Sequence, residues 1–167
     1  MKESKNTIDQ ILSVRLSVED INFATELGKK RSASMGHKDT KNSKNFFANK
    51  PPWHRHVVGA IGEVAFAKVT GQKVDTKTIG RGDGGVDFKN GVQVKATEKK
   101  YKPDLIISKR QFNMTKGTIY VLAWIKLPVV EFVGWISRQK FDQLKTLKRF
   151  QHGEAWVVKH ELLNKVK

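Results

Sequence analysis

The chain has 167 residues, with 32 Lys and Arg against 16 Asp and Glu, a net charge of +16. An apolar fraction of 38%, including four Trp and nine Phe, supports a real core, and the absence of cysteine excludes a disulfide framework or a thiolate zinc site. No apolar run reaches membrane-span length, the start Met1-Lys-Glu-Ser-Lys lacks the apolar centre of a signal peptide, and so large a positive excess points to a polyanion, nucleic acid ahead of an acidic membrane surface.

Residues 1–50 read as an N-terminal helical and basic extension, and residues 51–167 as the main domain. Ile8, Ile11 and Leu12 suggest a short helix. Ser17-Val-Glu-Asp20 has the form of an N-cap with an acidic first turn, opening a helix over 18–30 with Val18, Ile21, Ala24 (or Thr25) and Leu27 on one face. Residues 28–50 then carry Lys29, Lys30, Arg31, Lys38, Lys41 and Lys44 among Gly, Ser and Asn. That stretch reads as a solvated linker or as an arm that contacts DNA phosphates.

After Pro51-Pro52, a helix is predicted over 53–70 with Gly71 as its stop. Val57 (or Val58), Ile61, Val64 (or Ala65) and Lys68 or Val69 trace its inward stripe. Gly59 and Gly62 each weaken a helix by roughly 1 kcal/mol relative to Ala. Two of them a turn apart predict close approach to a sheet, or space beside a functional side chain, and Glu63 stands in their midst. His56, seven residues before Glu63 on the same face, is a candidate phosphate contact. His54 and His56 are two apart and make a poor metal pair.

Residues 73–79 suggest a strand, and 80–85 a Gly-rich loop holding Arg81 and Asp83. The stretch 85–97 then alternates apolar and polar residues as a β-hairpin does. A two-residue turn at Asn90-Gly91 would set Asp87 on the face opposite Gln93 and Lys95. A three-residue loop, Lys89-Asn90-Gly91, pairs Phe88 with Val92 and Asp87 with Gln93. It gathers Val86, Phe88, Val92 and Val94 on one face and Asp87, Gln93 and Lys95 on the other. Burial of the apolar set selects this register, and Gly91 stands where a left-handed residue is wanted.

Lys99, Lys100 and Lys102 follow the hairpin as plausible contacts to backbone phosphates. Strands are predicted at 104–108, at 118–126 (central, apolar on both faces), at 129–137 and at 155–159. Ser137 is expected to cap a helix over 138–147, and 161–165 to form a helical turn. The fold class is α/β or α+β.

Phosphodiester hydrolysis calls for a cation on the phosphate oxygens, a positioned water and help for the departing alkoxide. Asp87, the Gln93 side-chain oxygen and the Val94 carbonyl form an oxygen set suited to Mg2+, with Mn2+ as a substitute. Glu63 would bind the same ion, bind a water on it, or hold a second site, and Asp75 or Asp83 could stand in for it. Lys95 would orient the attacking water or stabilise developing charge.

Glu63 within Gly59-Ala-Ile-Gly-Glu63, then Gly85-Val-Asp87, then Gln93-Val-Lys95 resembles the PD-(D/E)XK nuclease superfamily. The nearest members in style are the small phage-type, homing and Holliday-junction-resolvase-like ones. The resemblance covers roughly residues 53–126. It implies a restriction-endonuclease-like αβββαβ core, a mixed sheet flanked by helices. It further implies a metal-dependent endonuclease of branched or long duplex DNA, with Glu63, Asp87, Gln93 and Lys95 as catalytic residues. Cutting two strands favours a homo-oligomer. Trp135 and Trp156 are expected in the core, with that interface as the other option. The expected setting is cytoplasmic, with no small-molecule cofactor besides the metal. The departure is Gln93, where the pattern has an acid. Its missing charge weakens metal affinity, disfavours a two-metal site, and leaves a non-catalytic DNA-binding protein on the same fold as the alternative.

Overall fold

In the computed structural model, residues 13–34, 50–77, 86–151 and 153–165 are described. The architecture is built on a central strand, β4 (Ile119–Lys126), whose apolar residues alternate between two cores. Val121, Ala123 and Ile125 point to one core, and Tyr120, Leu122 and the half-buried Trp124 to the other. An unbroken apolar run is what a strand covered on both sides requires.

The first core lies between a four-stranded sheet and two helices. The sheet runs in the order β1 (Ser13–Arg15), β5 (Val129–Ser137), β4 and β2 (Val92–Thr97). It is mixed: β2 is parallel to β4, whereas β4–β5 and β5–β1 are antiparallel. The helices are α1 (Val18–Ser34) and α2 (His54–Thr70). The second core lies under an antiparallel three-stranded sheet in the order β3 (Leu105–Ser108), β7 (Gly153–Val158) and β6 (Thr146–Phe150). Two short helices, α3 (Lys109–Met114) and α4 (Arg138–Leu144), contribute Phe112, Phe141 and Leu144 to it. A 3-10 turn, His160–Leu162, ends the series. The chain is thus a mixed α/β fold of the α+β kind.

Several expectations need correction. The predicted strand over 73–79 is absent from its described part, 73–77, where the backbone is irregular. The first arm of the hairpin is reduced to a single bridge, Phe88 to Val92. Among the described residues α2 is therefore followed directly by β2, with no regular strand between them. α1 does not stop at residue 30 but runs to Ser34, so residues 28–34 of the expected arm are helical. Its inward face is Ala24, Leu27 and Gly28, and Val18 is exposed. A Cβ on Gly28 would meet the Val57 backbone at 2.5 Å, so α1 crosses α2 in close contact there. That crossing buries α2 on nearly every side from Val57 to Ala67, where a single stripe was predicted. β1 and α1 therefore share the core of the main domain.

α4 ends at Leu144, not 147, because the next residues pair with β7 as β6. β1, α3 and β6 had no counterpart among the predicted elements. Strands β3, β4, β5 and β7 match prediction to within two residues. Trp135 and Trp156 are half-buried against the first and second core respectively. No described helix is long and apolar enough to cross a membrane. Ile8, Ile11, Leu12, Lys38, Lys41, Lys44, Arg81 and Asp83 lie outside the described residues.

Candidate active site

The hairpin adopts the three-residue register. Phe88 bridges Val92, Gly91 N–H donates to the Phe88 carbonyl at 3.0 Å, and Gly91 has φ of 74°. Phe88, Val92 and Val94 are buried on the apolar side. Asp87 carries the register into the site: its Oδ2 accepts the Val94 N–H at 2.6 Å. A strand residue directs its N–H and C=O to the same edge, so the Val94 carbonyl also faces the Asp87 side of β2, away from β4.

Glu63 arrives from α2, and Gly62 sets how closely. A Cβ there would lie 2.6 Å from the Ala96 Cβ and 3.3 Å from Val94 Cγ1. The helix rests on β2 at this point, as the glycine pair predicted. Gly59 has nothing within 4 Å of such a Cβ and does not share the role. Glu63 is buried, 7% exposed. Its two oxygens accept from the two terminal nitrogens of Arg31, each at 2.8 Å, and Arg31 also donates to the Asp75 carbonyl at 2.8 Å. Arg31, expected on a DNA-contacting arm, is thus engaged inside the site.

Burial, reinforced by the Glu63 charge, pushes the Asp87 carboxyl up to about 7, against the pull of the Val94 N–H, Lys95 and Arg31. Burial likewise pushes the Lys95 ammonium down, opposed by the Asp87 charge. Lys95 Nζ reaches Gln111 Oε1 at 3.4 Å. Gln111 sits in α3, whose N-cap Ser108 accepts the Gln111 N–H at 3.1 Å. Sequence reasoning missed Gln111, although Ser108-Lys-Arg-Gln111 has the capping-box spacing that could have found the helix.

Gln93 is buried, and its side-chain oxygen has no hydrogen-bond partner. A buried acceptor left unpaired costs about 1–3 kcal/mol, so it is a natural seat for a ligand that accepts its lone pair. Asp87, Gln93 and the Val94 carbonyl supply oxygen donors only, the set a hard divalent cation takes. Among the described residues no three His, Cys, Asp or Glu side chains form a metal-binding group. Asp87 also lines an open cleft of about 580 Å³ shared with Lys73, Asp75 and Lys77.

Searches against protein-family models, curated proteins and solved structures found no match.

The remaining predicted contacts are dispersed. Lys99, Lys100 and Lys102 are exposed beyond the end of β2, and the Lys99 carbonyl accepts the Trp124 indole N–H at 2.7 Å. Lys30 is exposed on α1. Lys29 pairs with Glu26 at 3.5 Å and lies over the Trp53 ring. His56 is half-buried near the start of α2.

Proposed function

We propose that this chain is a divalent-cation-dependent DNA endonuclease. The observation that carries the reading is Asp87, bonded by the Val94 N–H and within electrostatic reach of Lys95 and Glu63, on the hairpin whose buried Gln93 oxygen, lying beside Gly117, is unpartnered. Mg2+, or Mn2+ in its stead, would be held by Asp87, Gln93 and the Val94 carbonyl and would supply Lewis-acid stabilisation of charge on the scissile phosphate. Asp87 is fixed for that role by its bond from the Val94 N–H. Lys95, with its proton affinity lowered by burial and its tip held toward Gln111, orients a water or passes a proton to the departing oxygen. Lys99, Lys100 and Lys102 draw the DNA backbone toward the open edge of β2. The substrate is a branched junction or a long duplex site. Two cuts call for a homo-oligomer, and the reading implies a cytoplasmic location where DNA is reachable.

The test is a cleavage assay with Mg2+ and with Mn2+ on duplex, single-stranded and four-way-junction DNA. Wild type is expected to nick at least one of these. Asp87→Asn is expected to abolish nicking while binding DNA as well or better, since one negative charge is gone. Cleavage of none by wild type ends this reading. The second reading, a non-catalytic DNA-binding protein, is favoured by the neutral Gln93 together with the Arg31 fork on Glu63. It predicts tight DNA binding that is indifferent to the cation.

A further inference from the structure

We propose that Arg31 is the internal counter-ion of this site, holding Glu63 closed to a divalent cation until a DNA phosphate takes the guanidinium. The inference rests on the endonuclease reading. Its observation is the fork: both Glu63 oxygens are taken by Arg31 at 2.8 Å, and the Asp75 carbonyl steadies the same group. With its side chain 9% exposed, Glu63 is the most buried acid in the ion pairs of the described residues. Charge counting gives the consequence. Ionised Asp87 and Glu63 are offset by Arg31 and Lys95, the Asp75 charge that also acts on Arg31 is matched by Lys73 and Lys77 on the same cleft, and Gln93 adds nothing, so an approaching cation meets no net negative charge. Two acids become available only if a positive group withdraws.

Arg31 is built to withdraw. Its side chain is 22% exposed and stands in the last turn of α1, within reach of a ligand from solvent. A guanidinium grips phosphate in the same bidentate geometry as carboxylate, so exchanging Glu63 for a DNA phosphate conserves its hydrogen bonds. Glu63 is then free to join Asp87. Cation and DNA thereby assist each other's binding, and the coupling is reciprocal by linkage. Without DNA, the site stays poorly loaded.

The experiment titrates the full chain with Mn2+ by calorimetry, alone and with a duplex carrying phosphorothioate linkages. Wild type, Arg31→Met, Glu63→Gln and the double variant are compared, with thermal melts to establish folding. Arg31→Met is expected to bind Mn2+ about tenfold more tightly in the absence of DNA, because one nearby positive charge has gone and a carboxylate is freed. The gain is expected to vanish in the double variant, and DNA is expected to tighten Mn2+ binding in wild type but not in Arg31→Met. Arg31→Lys keeps the charge, loses the fork and should fall between; it serves if Arg31→Met does not fold. Unchanged or weaker Mn2+ binding by the Arg31 variants, or a gain that survives without Glu63, overturns the inference. If wild type still cuts DNA in that case, the endonuclease reading stands. Absence of both Mn2+ binding and cleavage in wild type overturns the two together.

Discussion

Asp87 is poised to change charge near neutrality. Burial, and then the Glu63 charge, raise its carboxyl to about 7. Below that pH the group is protonated, and the divalent cation of the proposed reading would lose its main anionic ligand. Mn2+ affinity of the free protein should therefore strengthen between about pH 6 and about pH 8, with about one proton released per ion at the lower end. Calorimetry in buffers of different ionisation enthalpy counts that proton, and an affinity flat across the interval would contradict it. The folded protein holds the Asp87 proton more tightly than the unfolded chain. The metal-free protein should thus lose stability as pH rises from about 4 to about 7 and level off above, and Asp87→Asn should flatten that decline. The side of the hairpin on which Asp87 lies was legible from the loop length and register, whereas the ion pair beside it was not. Arg31 and Glu63 are 32 positions apart, and only the packing of α1 on α2 joins them. No local pattern records that.

At the scale of elements, the two glycines of α2 part company. Both cost helix propensity, about 1 kcal/mol each against Ala. A methyl at Gly59 meets nothing, so Gly59→Ala should recover much of that amount and raise the melting temperature by roughly 2–4 °C. A methyl at Gly62 would strike Ala96 at 2.6 Å, and overpacking of this kind costs about 1–3 kcal/mol. Gly62→Ala should therefore destabilise despite its better propensity, and should impair cleavage by lifting Glu63 off β2. A paired thermal melt decides; equal effects at the two positions would contradict the packing assigned here. The long elements, α2, β4 and β5, were legible because their apolar periodicity persists over several turns or pleats. β1, α3 and β6 were not. They have three, six and five residues, and distant partners define them: β5 for β1 and β7 for β6.

For the whole molecule the governing quantity is the charge of +16. On a polyanion each neutralised phosphate releases counterions, which makes affinity fall with salt. The exposed Lys99, Lys100 and Lys102 lie just past the strand that carries Gln93 and Lys95. Replacing all three by Ala should reduce the slope of log affinity against log salt by up to about 0.9 per lost contact on duplex DNA. The same measurement on Lys148→Ala with Arg149→Ala, exposed on β6 of the other sheet, serves as a control of equal charge per residue changed. A larger loss from the β6 pair would move the DNA to the three-stranded sheet. Charge and composition point to a polyanion as the partner class, but net charge carries no direction, and only the fold distributes it.

The bond from the Val94 N–H to Asp87 Oδ2 also makes the protein its own indicator. An amide that donates to a carboxylate shifts its proton resonance as that carboxylate ionises, and it is shielded from exchange with water while the bond lasts. In a 15N-labelled sample the Val94 cross-peak should move with an apparent midpoint near the Asp87 value, and move again as a divalent cation is added. One backbone signal would report occupancy of the site without substrate, turnover or an introduced probe.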